Sequence, residues 1–185
     1  MNATITSTLR VYDDANPSKP LIDTSDRAEI ARLLGQAGVQ FEQWDASKPV
    51  GIDSTQDDIL AAYAGDVERI KRDGGYTTVD VMRLKRGTAD VPPLRKKFLS
   101  EHTHSEDEVR YFIEGSGSFY LRIGGKVYQA ICTRGDLISV PAGTTHWYDM
   151  GPDPEFCAIR FFQNQEGWTP QYTGDAIADR FPKYE

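Results

Sequence analysis

Apolar residues recur three or four positions apart in the first half of the chain and two apart through most of the second half. In SDRAEIARLLGQAG, Ile30, Leu33 and Leu34 form one stripe, Thr24 or Ser25 stands where an N-cap belongs, and Gly35 or Gly38 can end the run, which predicts a helix. STQDDILAAYAGDVERIKRDGG predicts a longer helix. Ile59, Leu60, Tyr63, Val67 and Ile70 share a face, and Ser54 or Thr55 caps it. Asp57 and Asp58 suit its positive end, Lys71 and Arg72 its negative end, and Gly74-Gly75 stops it. Pro92-Pro93 opens a short helix in VPPLRKKFL. Between these, ATITSTLRVY (Ile5, Leu9, Val11), VQFEQW (Val39, Phe41) and TTVDVMRLK predict strands.

After residue 100 the pattern changes to short alternating or apolar runs punctuated by Gly, Pro, Asp or Asn: EVRYFIEG, GSFYLRIGG, KVYQAICTRG, DLISVPAG, THWYDMG and EFCAIRFF. Gly124-Gly125 between two of them predicts a hairpin turn. Regular short strands with turn signals predict a β-sandwich or small barrel. The expected class is α+β, mainly β, with the N-terminal helices packed outside a dominant barrel. With no internal repeat or linker in the pattern, residues 1–185 are expected to form one domain. Its parts are a helix-rich 1–100, a barrel core at 101–165 and a C-terminal segment at 166–185.

Composition narrows the class of partner. The 185 residues carry a net charge of −7, which disfavours nucleic acid and anionic membranes. No apolar run approaches the roughly 20 residues that span a bilayer. The start, MNATITSTLRVYDD, lacks a basic region followed by an apolar core, so no secretory leader is expected. Cys132 and Cys157 are expected as small buried side chains in a reducing, cytoplasmic setting. A monomer is expected.

The chain has three histidines, and two of them stand one residue apart in HTHSEDEVRYFIEG. Residues two apart on a strand point the same way, so His102 and His104 share a face. Glu108, Arg110 and Phe112 join that face if the strand resumes after SED, while Val109, Tyr111 and Ile113 point away. Two imidazoles and a carboxylate on one side of a curved sheet suit a borderline divalent metal. His146 follows the turn PAG, on a strand that a barrel can bring opposite. A lone histidine is ordinary; His-x-His-x3-Glu together with Gly135-x5-Pro141-x-Gly143-x2-His146 is not.

These two halves resemble the two motifs of the cupin superfamily, whose fold is a conical, jelly-roll-like β-barrel with a metal inside. Lys96 stands where the first motif usually has Gly, and Met150 where the second usually has Asn. A closer resemblance lies in FLSEHTHSEDEVRYFIEGSGSFYLRIG, DLISVPAGTTHWYDMG and AIRFFQNQEGWTPQYTGDAIA, which look like the acireductone dioxygenase family of methionine salvage. VQFEQW and AAYAGDVERIKRDGGY fit it as well, so the likeness spans the chain.

By that resemblance, His102, His104, Glu108 and His146 fall on the family's metal ligands. One divalent ion per chain is implied, Fe2+ or Ni2+, with Co2+ or Mn2+ accepted by the same set. The implied partners are a small acireductone, 1,2-dihydroxy-3-keto-5-methylthiopentene, and O2. The implied products are 4-methylthio-2-oxobutanoate and formate with iron, or 3-methylthiopropanoate, formate and CO with nickel. Arg110 is the candidate catalytic residue, stabilising the enediolate. Arg160 resembles a family position near the substrate, and Phe98, Tyr148 and Trp168 are candidate walls for the methylthio-alkyl chain. Relatives often carry Phe where Tyr148 stands. Glu101, one residue before the first ligand, is a candidate acceptor orienting an imidazole. Two other readings stay open: another metal-dependent cupin enzyme, such as a diketone dioxygenase or isomerase, and a non-enzymatic ligand-binding cupin.

Overall fold

A computed structural model describes residues 4–185; Ala3, with which the first expected strand stretch begins, lies outside the described residues. The strands are β1 (Thr8–Asp13), β2 (Ile22–Thr24), β3 (Gln40–Gln43), β4 (Thr78–Leu84), β5 (His102–Thr103) and β6 (Glu108–Ile123), then β7 (Lys126–Thr133), β8 (Asp136–Val140), β9 (Thr145–Asp149), β10 (Phe156–Phe162) and β11 (Gln171–Tyr172). The helices are α1 (Arg27–Gln36), α2 (Gln56–Ala62), α3 (Ala64–Gly74) and α4 (Val91–Leu99).

EVRYFIEG and GSFYLRIGG, expected as separate runs, are one strand, β6, and this strand organises the fold. Its first half pairs with β10 and β8, its second with β7 and β9. One sheet therefore runs β4-β10-β6-β8-β3 and the other β11-β5-β9-β6-β7-β1-β2. The expected mainly β, jelly-roll-like class holds; its strands form two open sheets that share β6 and are not closed into a ring, since both ladders end on unpaired edges. Gly115 is where β6 changes sheets. Its φ is +66°, and a Cβ there would overlap the carbonyl oxygen of Glu155, which accepts from Ser116 N–H at 3.2 Å. The pairing with β10 slips at the same level, between Cys157 and Ala158.

The expected parity holds. Phe112 faces inward with Phe119, Leu121, Ala130, Ile138, Val140 and Tyr148. Val109, Tyr111 and Ile113 face outward, where Ile59, Tyr63, Val67 and Ile70 of the helices cover them. Helices α2 and α3 thus lie outside the sheet they cover, while α1 packs Ile30 and Leu34, and α4 packs Leu94 and Phe98, against the inner cluster. On the other sheet's outer face, Tyr120 and Trp147 stack with ring centroids 5.2 Å apart beneath Ile177, Ala178 and Phe181. The sheets take strands from both sides of residue 100, because β1, β3 and β4 pair with β7, β8 and β10. The boundary at 100 marks a change of texture, not of structure.

Two local expectations change. The long helix is two, parted at Tyr63 (φ −106°, ψ 21°), whose ring packs edge-on against Tyr111 and whose hydroxyl donates to the Lys48 carbonyl at 3.0 Å. Thr55 caps α2 in a reciprocal box with Asp58. The cap of α1 is Asp26, accepting from Glu29 N–H at 3.0 Å, while Thr24 accepts from Asp26 N–H at 3.2 Å and donates to the Glu29 carboxylate at 2.8 Å. Both cysteines are buried. Among the described residues no helix is long and apolar enough to cross a membrane.

Candidate metal centre

The strand that carries the first histidines is short. β5 holds only His102 and Thr103, and His104 begins the turn that leads into Glu108 at the start of β6. The partner strand fixes the rest: His102 is the register partner of His146 on β9, and Leu121 of β6 pairs with His146 on its other side. The turn before His146 is tied down at both ends. Gly143 N–H donates to the His104 carbonyl at 2.9 Å, and Ala142 N–H to the Asp107 carboxylate at 2.9 Å. Antiparallel pairing thus brings two motifs some forty residues apart to one point.

One ligand nitrogen from each of His102, His104 and His146 lies within 4.8 Å of the others. An ion with bonds of about 2.1 Å sets ligand atoms about 3 Å apart when adjacent and about 4 Å when opposite, so one ion fits that space. Two imidazoles are oriented from behind in the same way. His102 Nδ1 lies 2.6 Å from the Ser100 carbonyl and His146 Nδ1 2.8 Å from the Thr144 carbonyl, each two residues upstream. A carbonyl only accepts, so Nδ1 carries the proton and Nε2 presents its lone pair inward. That lone pair of His146 faces Glu108 Oε2 at 2.8 Å, and His104 Nε2 lies 3.2 Å from the same oxygen. Two acceptors so close need a positive charge between them, a second proton or a metal ion. Glu108 falls outside the compact three-histidine group, and its Oε2 touches two members of it.

The electrostatics favour a neutral His102 and an ionised Glu108. Burial, then the neighbouring His146, lowers His102 to about 4. For Glu108 burial pushes upward, but the charge of Arg110, then the contacts with His104 and His146, outweigh it and hold the carboxyl well below its usual range. Burial pushes Cys132 well above the ordinary thiol range and Cys157 up to about 12, so neither offers a thiolate.

Arg110 is on the ligand face and only 1% exposed, with Nε 3.0 Å from Glu108 Oε1. That contact is close but poorly aligned for a hydrogen bond, and Nη1 has no protein partner among the described residues. Its Cζ lies 4.5 Å from the Tyr148 ring centroid, 5.8 Å from Trp168 and 5.9 Å from Phe98. Trp168 also stacks on His104 at 6.1 Å and donates its Nε1–H to the Asp107 carbonyl at 3.1 Å. Phe98, Tyr148 and Trp168 therefore do gather around the site. Arg160 is nearby, 5.2 Å from the Trp168 ring, but its guanidinium makes a two-point bond to Asp80 at 2.8 and 2.5 Å. Its charge is already matched.

Glu101 differs from both its expected place and a solvent-facing one. It is 2% exposed, it accepts from Thr173 Oγ1 at 2.7 Å, and its other oxygen is 3.4 Å from Arg122. No imidazole nitrogen is among its hydrogen-bond partners in the described residues. It secures the C-terminal segment instead, and that segment places Tyr172 5.9 Å from the His102 ring. Nothing in the sequence pattern flags Thr173 or Tyr172, because their contacts cross seventy residues of chain.

The cluster is enclosed: His102, Glu108 and His146 are 2–3% exposed. A surface cleft of about 600 Å3 lies elsewhere, between the N-terminal residues Thr4–Thr6, Gly115 and Tyr184, and contains no histidine. Donor chemistry, not concavity, locates the site.

The model of the ARD/ARD' family matches residues 8–170. The acireductone dioxygenase of Parvibaculum lavamentivorans is 55% identical over 177 residues, covering 96% of each chain. That of Hahella chejuensis is 51% identical over 97% of this chain and 96% of its own. Among solved structures, the acireductone dioxygenase of Bacillus anthracis, with a cadmium ion in its active centre, superposes with a TM-score of 0.80 at 28% identity, over 92% of this chain and all of that one. On the family match and the near full-length identity, this chain belongs to the acireductone dioxygenase family.

Proposed function

We propose that the chain is a metal-dependent dioxygenase of methionine salvage that oxidises 1,2-dihydroxy-3-keto-5-methylthiopentene with O2. The single observation that carries the reading is the 2.8 Å contact of His146 Nε2 with Glu108 Oε2 inside a buried three-histidine group. His102, His104, His146 and Glu108 would hold one divalent ion, Fe2+ or Ni2+, with Co2+ and Mn2+ as other occupants of such a set. When bound, the ion supplies Lewis acidity and a template for the enediolate oxygens.

The remaining work falls to the chain. Arg110 places a permanent positive charge beside Glu108, and its free Nη1 is a donor for an anionic substrate oxygen. Phe98 and Trp168, half-buried above the guanidinium, offer an apolar wall to the methylthio-alkyl end. All three histidines belong to the donor set, so none is left to carry a proton. Arg160, held by Asp80, acts at most through Trp168. A cytoplasmic monomer fits two buried thiols and a charge of −7.

The test loads metal-free protein with Fe2+ or Ni2+ separately, mixes it anaerobically with the reductone and then admits oxygen. The expected products are 4-methylthio-2-oxobutanoate with formate for iron, and 3-methylthiopropanoate, formate and CO for nickel. No consumption above the metal-free control with either ion would overturn the proposal.

A further inference from the structure

Arg110 is a buried charge with little to hold it still. One carboxylate lies in ion-pair range among the described residues, Glu108 at 3.0 Å, and the alignment is poor. Four aromatic rings flank the guanidinium: Tyr148 at 4.5 Å, Phe119 at 5.4 Å, Trp168 at 5.8 Å and Phe98 at 5.9 Å. Tyr148 is the nearest, and the negative face of an aromatic ring attracts a desolvated cation most strongly at short range.

Tyr148 is itself wedged. Its ring meets Phe119 at 4.8 Å, Phe156 at 6.1 Å and Phe98 at 6.2 Å. At its far end the hydroxyl is buried with no protein partner among the described residues. It lies where Gly117 has no side chain: a Cβ on Gly117 would overlap both Oη and Cζ of Tyr148. The hydroxyl occupies a notch that a glycine leaves open. Contacts therefore run from Gly117, on the second half of β6, through Tyr148 to Arg110 on the first half.

We propose that Tyr148 is a positioning residue for the reaction: its ring, set in depth by the Gly117 notch, is the platform that holds the Arg110 guanidinium beside Glu108 and the incoming anionic substrate. This rests on the reading that Arg110 serves the substrate. The ring does the positioning; the hydroxyl fills the notch without a protein hydrogen bond among the described residues.

The experiment measures three quantities on the metal-loaded protein: metal per chain, affinity for the reductone under anaerobic conditions, and kcat/KM once oxygen is admitted. Tyr148→Leu removes the platform and is expected to lower reductone affinity and kcat/KM together, about tenfold, with metal content unchanged. Tyr148→Phe keeps the ring and is expected to stay within about twofold of native. Gly117→Ala touches neither metal nor substrate, yet by displacing the ring it should lower both quantities. Gly117→Ala with Tyr148→Leu should be no worse than Tyr148→Leu alone, since the clash is gone. Arg110→Gln tests the underlying reading. Native reductone affinity in that variant would remove the role of Arg110. Impairment in Arg110→Gln with native behaviour in Tyr148→Leu would overturn the Tyr148 proposal and leave Arg110 standing. Should Tyr148→Leu fail to fold, Gly117→Ala decides: native affinity and turnover there would overturn the proposal as well.

Discussion

Glu108→Gln keeps the side chain's shape and removes its charge. In the native chain the carboxylate is 3% exposed, 3.0 Å from Arg110 Nε and 2.8 Å from His146 Nε2. Arg110 has no second carboxylate in range among the described residues, so the substitution leaves a buried guanidinium unpaired. Removing one partner of a buried ion pair costs about 3–5 kcal/mol. The amide oxygen keeps a dipole toward the guanidinium, which places the expected loss near the lower figure, about 3 kcal/mol. For a chain of this size each kcal/mol moves the melting temperature by roughly 2–4 °C, so the metal-free variant should melt about 6–12 °C below metal-free native protein. Comparing both proteins stripped of metal separates this loss from metal binding. Elemental analysis of the same variant after reconstitution should find well below one ion per chain. Equal melting within about 1 °C, or full metal occupancy, would refute the placing of Glu108 between Arg110 and the imidazoles.

Further outcomes follow from other parts of the fold. Burial raises the Cys157 thiol from about 9 to about 12, so its protonated form is favoured by folding. The stability this group confers is complete below pH 9 and declines as pH rises towards 12; urea melts across that window should fall by roughly 4 kcal/mol more for native protein than for Cys157→Ala. Gly115→Ala forces a Cβ into the left-handed region and against the Glu155 carbonyl, so a loss of more than about 2 kcal/mol is expected in the same melts; a smaller loss would argue that β6 does not bend there as described. Glu101→Ala should cost about 2 kcal/mol by releasing Thr173 and Arg122 while metal content stays at one ion per chain. Metal lost from that variant would instead return Glu101 to the role of orienting an imidazole.

What could be read from the pattern was local and periodic. Alternation put His102, His104, Glu108 and Arg110 on one face and Tyr111 on the other, because the period of a strand is two and one face here is sealed by helices. Helix stripes located α1 and the run that holds α2 and α3, and Pro92-Pro93 located α4, with Asp26 capping α1 where Thr24 or Ser25 was expected; Thr24 lends its hydroxyl to the same end. Tertiary demands set the rest. The helix parts at Tyr63 because that ring packs on Tyr111, which lies in a strand forty-eight positions on. β6 runs through Gly115 because Glu155, from another strand's approach, supplies a bond at the bend. Glu101 sits beside a candidate ligand in sequence yet spends its oxygens on Thr173 and Arg122, a partnership no spacing announces. The orienting carbonyls of Ser100 and Thr144 are the one missed feature with a regular signature, each two residues before its histidine.

The most direct test of the account is a crystal of the reconstituted protein measured at the absorption edge of its metal. One anomalous peak is predicted, about 2.0–2.2 Å from Nε2 of His102, His104 and His146 and from Oε2 of Glu108. A peak bound elsewhere, or one bound by the histidines with Glu108 turned away from it to Arg110 alone, would contradict it.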